Sequence, residues 1–248
     1  KPVEIERELR SIRQAGELRE ERPWRELFRP GLRMALVVGV GLAIFQQFIG
    51  INAVIYYAPI IFQHAGVSSA NTAILATSLV GMVNVIFTVV ASLVVDKLGR
   101  RPLLLWGAIV MTVCLVALGA IFAIGPNKAG YFILFVLSLY IAAFALSFGA
   151  IFWLMSAEIF PTRVRAVGSA VSTFANWVAN LLVSVTFLSL VNAIGQSGTF
   201  WLYAVMGVLA FVFCRRWVPE TKGKSLEEIE DYWEQQRYRA PTTTSGAK

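Results

Sequence analysis

Long apolar runs alternate with short polar connections along most of this chain. Each run reaches the roughly 20 residues that a helix needs to cross a bilayer, and none shows the residue-by-residue alternation of a transmembrane strand. The pattern therefore predicts an all-α, polytopic membrane protein. The expected six transmembrane helices cover residues 32–62, 70–95, 102–124, 130–155, 166–191 and 198–216.

Polar segments flank the block of spans on both sides. Residues 1–30 combine mixed charge with helix-forming residues, which predicts an amphipathic helical linker on the cytoplasmic side, ahead of a six-helix bundle over 31–217. Residues 218–248 predict a cytoplasmic tail with a short helix, in which Ser225 and Glu228 have the spacing of a capping box. The end of this tail is polar and is expected to be disordered.

The composition fits a membrane protein, since 57% of the 248 residues are hydrophobic and only 15% are charged. A soluble domain carries about 25% charged residues. Every Lys and Arg except Lys128 falls on the side of the predicted bundle that holds both termini. The positive-inside rule therefore predicts that both termini are cytoplasmic, in the plasma or inner membrane. The net charge of +7 then reports topology, and we do not expect nucleic-acid binding.

The two cysteines, Cys114 and Cys214, lie within or at the end of apolar runs and have neither metal-ligand nor disulfide spacing. The chain starts at Lys1 without a signal peptide, so we expect a fragment of a longer protein. The sequence contains no nucleophile–base pair, metal cluster or phosphate-binding loop, so we expect no enzyme, catalytic residue, metal or cofactor. A proton that acts as a coupling ion remains compatible with this expectation.

The first span carries many hydrogen-bonding side chains for a membrane helix. They lie within FQQFIGINAVIYYAP, residues 45–59, and are Gln46, Gln47, Asn52, Tyr56 and Tyr57. On a straight helix Gln46 and Asn52 would point about 240° apart. We therefore expect a kink or an unwound turn at Gly50 or Pro59, as in the broken helices of secondary transporters. The alternative is that these groups only join neighbouring helices by hydrogen bonds.

Two further spans carry polar stripes. Asn84 and Thr88 lie four residues apart in the second span, which favours helix packing. In the fifth span the stripe favours a wet cavity over packing, and it consists of Thr173, Asn176 or Trp177, Asn180 and Ser184. No Asp, Glu, Lys or Arg lies in the middle of any span. Uncharged amides and aromatic faces suit a neutral, hydroxyl-rich ligand better than an ion.

Two short connections on the basic side combine acids with arginines. They are DKLGRRPLL, residues 96–104, and SAEIFPTRVRAVG, residues 156–168. We expect an inner charge network of Asp96, Arg100, Arg101, Glu158, Arg163 and Arg165, which would hold one conformational state closed. The alternative is simple topological anchoring, which accounts for the arginines and leaves the two acids unexplained.

Four motifs now carry a resemblance to a known family: QQFIGINAVIYYAP, DKLGRRPLL, AEIFPTRVRAVG and VPETKGKSLEE. In this order and spacing they resemble the second half of a sugar porter of the major facilitator superfamily. The group includes bacterial sugar–proton symporters and facilitative glucose transporters. The resemblance implies the C-terminal six-helix bundle of that fold, a missing N-terminal half as partner, and a monosaccharide or polyol as substrate. The implied sugar-binding residues are Gln46, Gln47, Asn52, Asn84, Trp153, Asn176 and Trp177.

The resemblance also implies an outer gate formed by Tyr56 and Tyr57, and an inner gate at the charge network. One departure concerns the fourth span. The family usually has prolines just before a tryptophan there, whereas this chain reads GAIFW, with Ala150 and Phe152 in their place. The resemblance therefore leaves the bending of this helix open.

The leading hypothesis is one half of a secondary sugar transporter that works by alternating access. Proton symport needs a titratable group that senses the transport cycle, and these spans place none at mid-depth, so a coupling carboxylate would lie in the missing half. Facilitated diffusion is equally compatible. Two alternatives are a membrane sugar sensor or interaction protein that binds without transporting, which the short tails disfavour, and a dimer of half-chains.

Overall fold

The computed structural model describes residues 26–29, 32–64, 69–125, 129–225, 227–229 and 231–233. Within these ranges the protein is helical apart from short connections and has no strand, which confirms the predicted all-α architecture. The elements in chain order are α1 (Leu32–Phe48), α2 (Ile51–His64), α3 (Ala70–Leu98), α4 (Arg100–Ile124), α5 (Gly130–Phe144), a π-helical segment (Ala145–Gly149), α6 (Ala150–Glu158) and α7 (Arg165–Trp217).

Five helical stretches of the described chain are long and apolar enough to cross a membrane. The first joins α1 to α2 over Leu32–Gln63, and the fourth joins α5 to α6 over Gly130–Glu158. The fifth is α7, whose 53 residues are interrupted at Gly195, where φ is 75° and ψ is 169°. Each part of α7 is long enough to cross a bilayer, so α7 supplies the predicted fifth and sixth spans with one glycine in place of the expected loop.

Helix α7 packs against both α1 and α4, and the interior between the helices is apolar. The outward faces are apolar as well. Leu75, Val85 and Leu93 of α3 are all exposed, as lipid-facing positions of a membrane helix are expected to be.

The connections α3–α4 and α6–α7 meet the segment after α7 at one end of the bundle, which we call the charged end. Trp233 is buried there, and its Nε1 donates a hydrogen bond to the carbonyl of Ile159 at 2.9 Å. The predicted capping box is present: the Ser225 N–H donates to Glu228 Oε2 at 2.7 Å, and the Glu228 N–H donates to the Ser225 hydroxyl at 3.3 Å.

Several expectations fall outside the described residues. They concern the amphipathic linker up to residue 25, Lys128 and the chain end from residue 234 onward.

Candidate functional site

The first span is interrupted in its middle. Helix α1 ends at Phe48 and α2 begins at Ile51, and Gly50 between them has a φ of 94°, a conformation that glycine adopts without the penalty paid by other residues. A Cβ at Gly50 would also lie only 2.5 Å from the ring of Tyr203. Pro59, the other predicted breaker, lies inside α2. The interruption is therefore at Gly50.

This interruption allows four amide side chains, which we call the amide chain, to bond in sequence. Asn52 Nδ2 donates to Gln47 Oε1 at 2.6 Å, and Gln47 Nε2 donates to Asn176 Oδ1 at 3.1 Å. Asn176 Nδ2 donates to Gln46 Oε1 and, at 3.2 Å, to the carbonyl of Ala43. Gln46 Nε2 then donates to the carbonyl of Phe148 at 3.0 Å. The amide chain thereby joins the first and fifth spans to the fourth.

The amide chain has one open end. Gln46, Gln47 and Asn176 are buried, whereas Asn52 is half-buried. Each of these three buried side chains uses both its amide oxygen and its amide nitrogen in hydrogen bonds within the protein. Asn52 Oδ1, by contrast, accepts no hydrogen bond from any residue that the structure describes. The site therefore presents a carbonyl oxygen at Asn52, held in place by three amides behind it.

The fourth span carries a second interruption, which the sequence did not predict. Between α5 and α6 the residues Ala145–Gly149 form a π-helical segment, and the Phe148 carbonyl that receives Gln46 lies within it. Such segments alter the helical hydrogen-bond register and are frequent at functional sites. This irregularity directly precedes Ala150, so this region departs from α-helical geometry without the family's usual prolines.

The remaining predicted sugar-binding residues are not hydrogen-bonded to the amide chain within the described ranges. Trp153 and Trp177 are 46% and 60% exposed, on surfaces that the described chain leaves uncovered. Asn84 of α3 is half-buried, and its side-chain amide has no hydrogen-bond partner within the described ranges. Of the two alternatives for the predicted stripe on the fifth span, Asn176 faces the interior and Trp177 faces outward. The other stripe members, Thr173, Asn180 and Ser184, are buried or half-buried like Asn176.

The two predicted gate tyrosines also point in different directions. Tyr56 is 54% exposed. The Tyr57 hydroxyl donates to the carbonyl of Ser184 at 3.1 Å, and its ring stacks on Phe187 with centroids 4.7 Å apart. Tyr57 thus ties α2 to α7, while the Tyr56 side chain is exposed.

At the charged end, ion pairs join three residues of the predicted network, Asp96, Arg100 and Glu158. Arg100 Nη2 lies 2.9 Å from Glu158 Oε1 and 3.0 Å from Asp96 Oδ1. Arg100 Nε also donates to Glu158 Oε2 at 3.3 Å. The side chain of Arg100 is almost buried, which strengthens its interaction with these carboxylates. Helices α3, α4 and α6 are therefore joined through one guanidinium.

The other arginines of the predicted network bind differently. Arg101 Nη2 donates to the carbonyl of Arg215 at 2.5 Å, while Arg165 donates to the carbonyl of Phe160 and the hydroxyl of Thr162. Neither forms an ion pair within the described ranges: Arg101 binds a carbonyl in the last turn of α7, and Arg165 binds oxygens of the α6–α7 connection. Arg163 also has an interaction partner.

Two residues that the sequence did not single out complete this cluster. The Glu220 carboxylate accepts the backbone N–H groups of Arg100 and Arg101, each at 3.0 Å, and so caps the start of α4. The Thr221 hydroxyl donates to Glu158 Oε2 at 2.6 Å. Both belong to the motif VPETKGKSLEE. The sequence shows where this motif lies along the chain, but it does not show that the motif contacts α4 in the folded protein.

Comparison with known proteins gives consistent matches. The family model described as "Sugar (and other) transporter" matches residues 2–233. The chain is 44% identical over 229 residues to the putative metabolite transport protein YwtG of Bacillus subtilis (strain 168), covering 92% of the chain and 50% of that protein. It is 42% identical over 216 residues to the D-xylose-proton symporter of Escherichia coli (strain K12), covering 85% of the chain and 43% of that protein.

Solved structures match as well. The major facilitator superfamily proton:xylose symporter XylE, bound to 6-bromo-6-deoxy-D-glucose, superposes with a TM-score of 0.73 at 44% identity. This superposition covers 80% of the chain and 42% of XylE. The chain thus spans about half the length of the curated relatives it matches.

Proposed function

Because the chain belongs to the Sugar (and other) transporter family within the major facilitator superfamily, we propose that it forms the C-terminal half of a secondary sugar transporter. In this proposal the transporter moves a monosaccharide or polyol by alternating access. The observation that carries the proposal is the amide chain with its open end at Asn52. Four uncharged amides at a broken mid-span helix suit a neutral, hydroxyl-rich ligand.

The geometry divides the proposed binding residues into two roles. Asn52 accepts a hydrogen bond from a sugar hydroxyl through its open Oδ1, and Gln47 supports it directly. Gln46 and Asn176 are positioning residues, because their oxygen and nitrogen atoms are already used within the protein. Trp153 and Trp177 offer aromatic faces to the apolar face of the sugar ring, and Asn84 offers a further amide.

The rest of the transporter closes around this site. A six-helix N-terminal half covers the exposed side and supplies the opposite wall of the cavity. Both termini of this chain lie in the cytoplasm, so the charged end is the inner end. Tyr56 contributes to the outer gate, and the ion pairs of Arg100 with Glu158 and Asp96 hold the inner end until the halves rock apart.

Proton coupling, where it occurs, uses a group outside this chain. The spans contain no Asp or Glu at mid-depth, and the charged residues of the described structure gather at the charged end. Similarity to proton symporters is compatible with this placement, since the proton site and the sugar site need not share one half.

The test uses the longest natural polypeptide that contains this chain, reconstituted in liposomes. Uptake and equilibrium binding of labelled xylose, glucose and an uncharged polyol are measured for wild type and for Asn52→Ala. We expect about three- to tenfold weaker sugar binding, which corresponds to one neutral hydrogen bond. Uptake falls in parallel at sub-saturating sugar.

Gln63→Ala is the matched control, because Gln63 is an exposed amide near the end of α2. It should leave sugar binding unchanged. Unchanged sugar affinity in both Asn52→Ala and Gln47→Ala would remove the site assignment. Tight sugar binding without uptake in the wild type would instead identify a sensor and contradict transport.

A further inference from the structure

A groove lies on the outer surface of the bundle at the charged end, away from the amide chain. It runs between α4 and the last part of α7 and has a volume of about 490 Å³. Arg101, Leu105, Trp106 and Ile109 of α4 form one wall, and Phe211 and Arg215 of α7 form the other. The spacing along α4 places these residues on one face of the helix.

The two arginines stand at the polar end of the groove with unused hydrogen-bond donors. Arg101 uses Nη2 for the Arg215 carbonyl, while its Nε is buried and has no hydrogen-bond partner among the described residues. The guanidinium of Arg215 is exposed and contacts no carboxylate in the described part of the chain. Neither guanidinium forms an ion pair with a carboxylate among the described residues, so this end of the groove offers two cationic groups to an anion.

The rest of the groove is lined by apolar side chains and runs along the axis of α4, as a lipid acyl chain in the bilayer would. Arg101 and Ile109 are about 12 Å apart along the axis of α4, which is most of one hydrocarbon leaflet of about 15 Å. Trp106 is 68% exposed, and it lies one turn below the arginines, where interfacial tryptophans are found. The cationic rim of the groove matches the phosphate headgroup of a phospholipid, and the apolar lining below it matches an acyl chain.

The geometry points to a binding site for one anionic phospholipid at this groove. Its phosphate lies between Arg101 and Arg215, and one acyl chain runs along Leu105, Ile109 and Phe211. Basic pockets between membrane helices bind anionic headgroups through such charge-assisted hydrogen bonds. The site joins α4 to the last part of α7, and it is separate from the proposed sugar site.

The test is native mass spectrometry of the longest natural polypeptide containing this chain, in neutral detergent. Phosphatidylglycerol and phosphatidylcholine of equal chain length are titrated separately, and the dissociation constant of the first bound lipid is measured. We expect tighter binding of phosphatidylglycerol. Arg215→Gln should weaken it about tenfold, the effect of losing a hydrogen bond to a charged group, without changing phosphatidylcholine binding.

Arg216→Gln is the matched control, because Arg216 is also exposed but does not line the groove. It removes the same charge and should change the affinity by about twofold or less. Equal effects of Arg215→Gln and Arg216→Gln would show general surface attraction and overturn the site. Equal binding of the two lipids by wild type would overturn it as well.

A second variant tests the apolar wall without a change in charge. Ile109→Trp fills the groove and should weaken phosphatidylglycerol binding while Arg101 and Arg215 remain. It also keeps the test decisive if Arg215→Gln elutes as an aggregate in size-exclusion chromatography. Unchanged binding by folded Ile109→Trp, or displacement of the lipid by excess inorganic phosphate, would leave a headgroup-only anion site and contradict a phospholipid site.

Discussion

The first and fourth spans are both interrupted near their middle, yet by different means. The first breaks at Gly50, where one residue has a positive φ and the helix restarts at Ile51. The fourth keeps helical backbone angles on both sides of its π-helical segment, as Phe144 and Ala150 show. A break changes the helix direction at one residue, whereas a π-helical segment changes the hydrogen-bond register over several.

At each interruption, a side chain from the other span donates a hydrogen bond to a backbone carbonyl. The Tyr140 hydroxyl of α5 donates to the carbonyl of Ile49 at 3.0 Å, and Gln46 of α1 donates to the carbonyl of Phe148 at 3.0 Å. Backbone carbonyls without partners are costly inside a membrane protein. The two irregular spans therefore stabilise each other, and the amide chain extends from this reciprocal contact.

The largest expected effect comes from adding a side chain at Gly50, where the first span breaks. Gly50→Ala combines an unfavourable positive φ with overlap on the Tyr203 ring. We expect a loss of about 2–5 kcal/mol in the free energy of unfolding, measured by SDS titration in mixed micelles.

Substitutions at two other glycines distinguish the backbone cost of Gly50→Ala from its steric cost. Gly125→Ala has a positive φ and open space, so it should show only the backbone cost of about 1–2 kcal/mol. Gly81→Ala lies inside α3 with no neighbour within 4 Å and should change stability by less than about 1 kcal/mol. If Gly50→Ala behaved like Gly81→Ala, the break would not depend on glycine.

The next effect comes from removing the contact that the first span makes with the fourth. Gln46→Met leaves the Phe148 carbonyl without its donor and should cost about 1–3 kcal/mol. Sugar binding should also weaken, because Asn176 loses the acceptor that orients it. Gln63→Met, at an exposed position, is the control for stability. Full stability of Gln46→Met would mean that the π-helical segment needs no outside donor.

The reciprocal contact is tested by Tyr140→Phe. Loss of one neutral hydrogen bond to the Ile49 carbonyl should cost about 1 kcal/mol, with sugar affinity unchanged because the amide chain remains intact. Tyr203→Phe is a close control, since the buried Tyr203 hydroxyl has no partner among the described residues and its removal should not destabilise the protein. An equal loss in the two variants would contradict a specific role for Tyr140.

The smallest effect is expected at the glycine of the π-helical segment. Gly149 has helical angles of φ −59° and ψ −54°, and an added Cβ would meet the edge of the Phe144 ring at 3.0 Å. Gly149→Ala should change the free energy of unfolding by about 1 kcal/mol or less, because better helix propensity offsets the contact. A loss as large as that of Gly50→Ala would remove the distinction between the two interruptions.

The sequence predicted the first interruption and missed the second for a physical reason. Gly50 between polar positions on opposite helix faces is a local pattern, and the geometry of a straight helix demanded a break there. Pro59 belonged to the same prediction, but a proline within a helix is tolerated when the chain continues in α2. The π-helical segment lacks a comparable local pattern, since its residues are those of an ordinary apolar helix.

The need of the amide side chains for hydrogen-bond partners was predictable from the sequence, and their arrangement was less so. Amide side chains in apolar spans must find partners, which indicated that Gln46, Gln47 and Asn176 belong to a polar cluster. Their use of each other, and the single open end at Asn52, depend on distances between spans. Glu220 escaped prediction for the same reason, because it meets α4 only after the whole bundle folds.

The indole of Trp233 has a practical consequence for shortening this polypeptide. Its ring is fully enclosed 16 residues beyond the end of α7 at Trp217, and it is hydrogen-bonded to the turn that follows α6. A truncation made at the apparent end of the hydrophobic region would uncover that turn and leave an empty pocket lined by apolar atoms. Purification handles should therefore be appended downstream of this residue, where the enclosed indole stays in place.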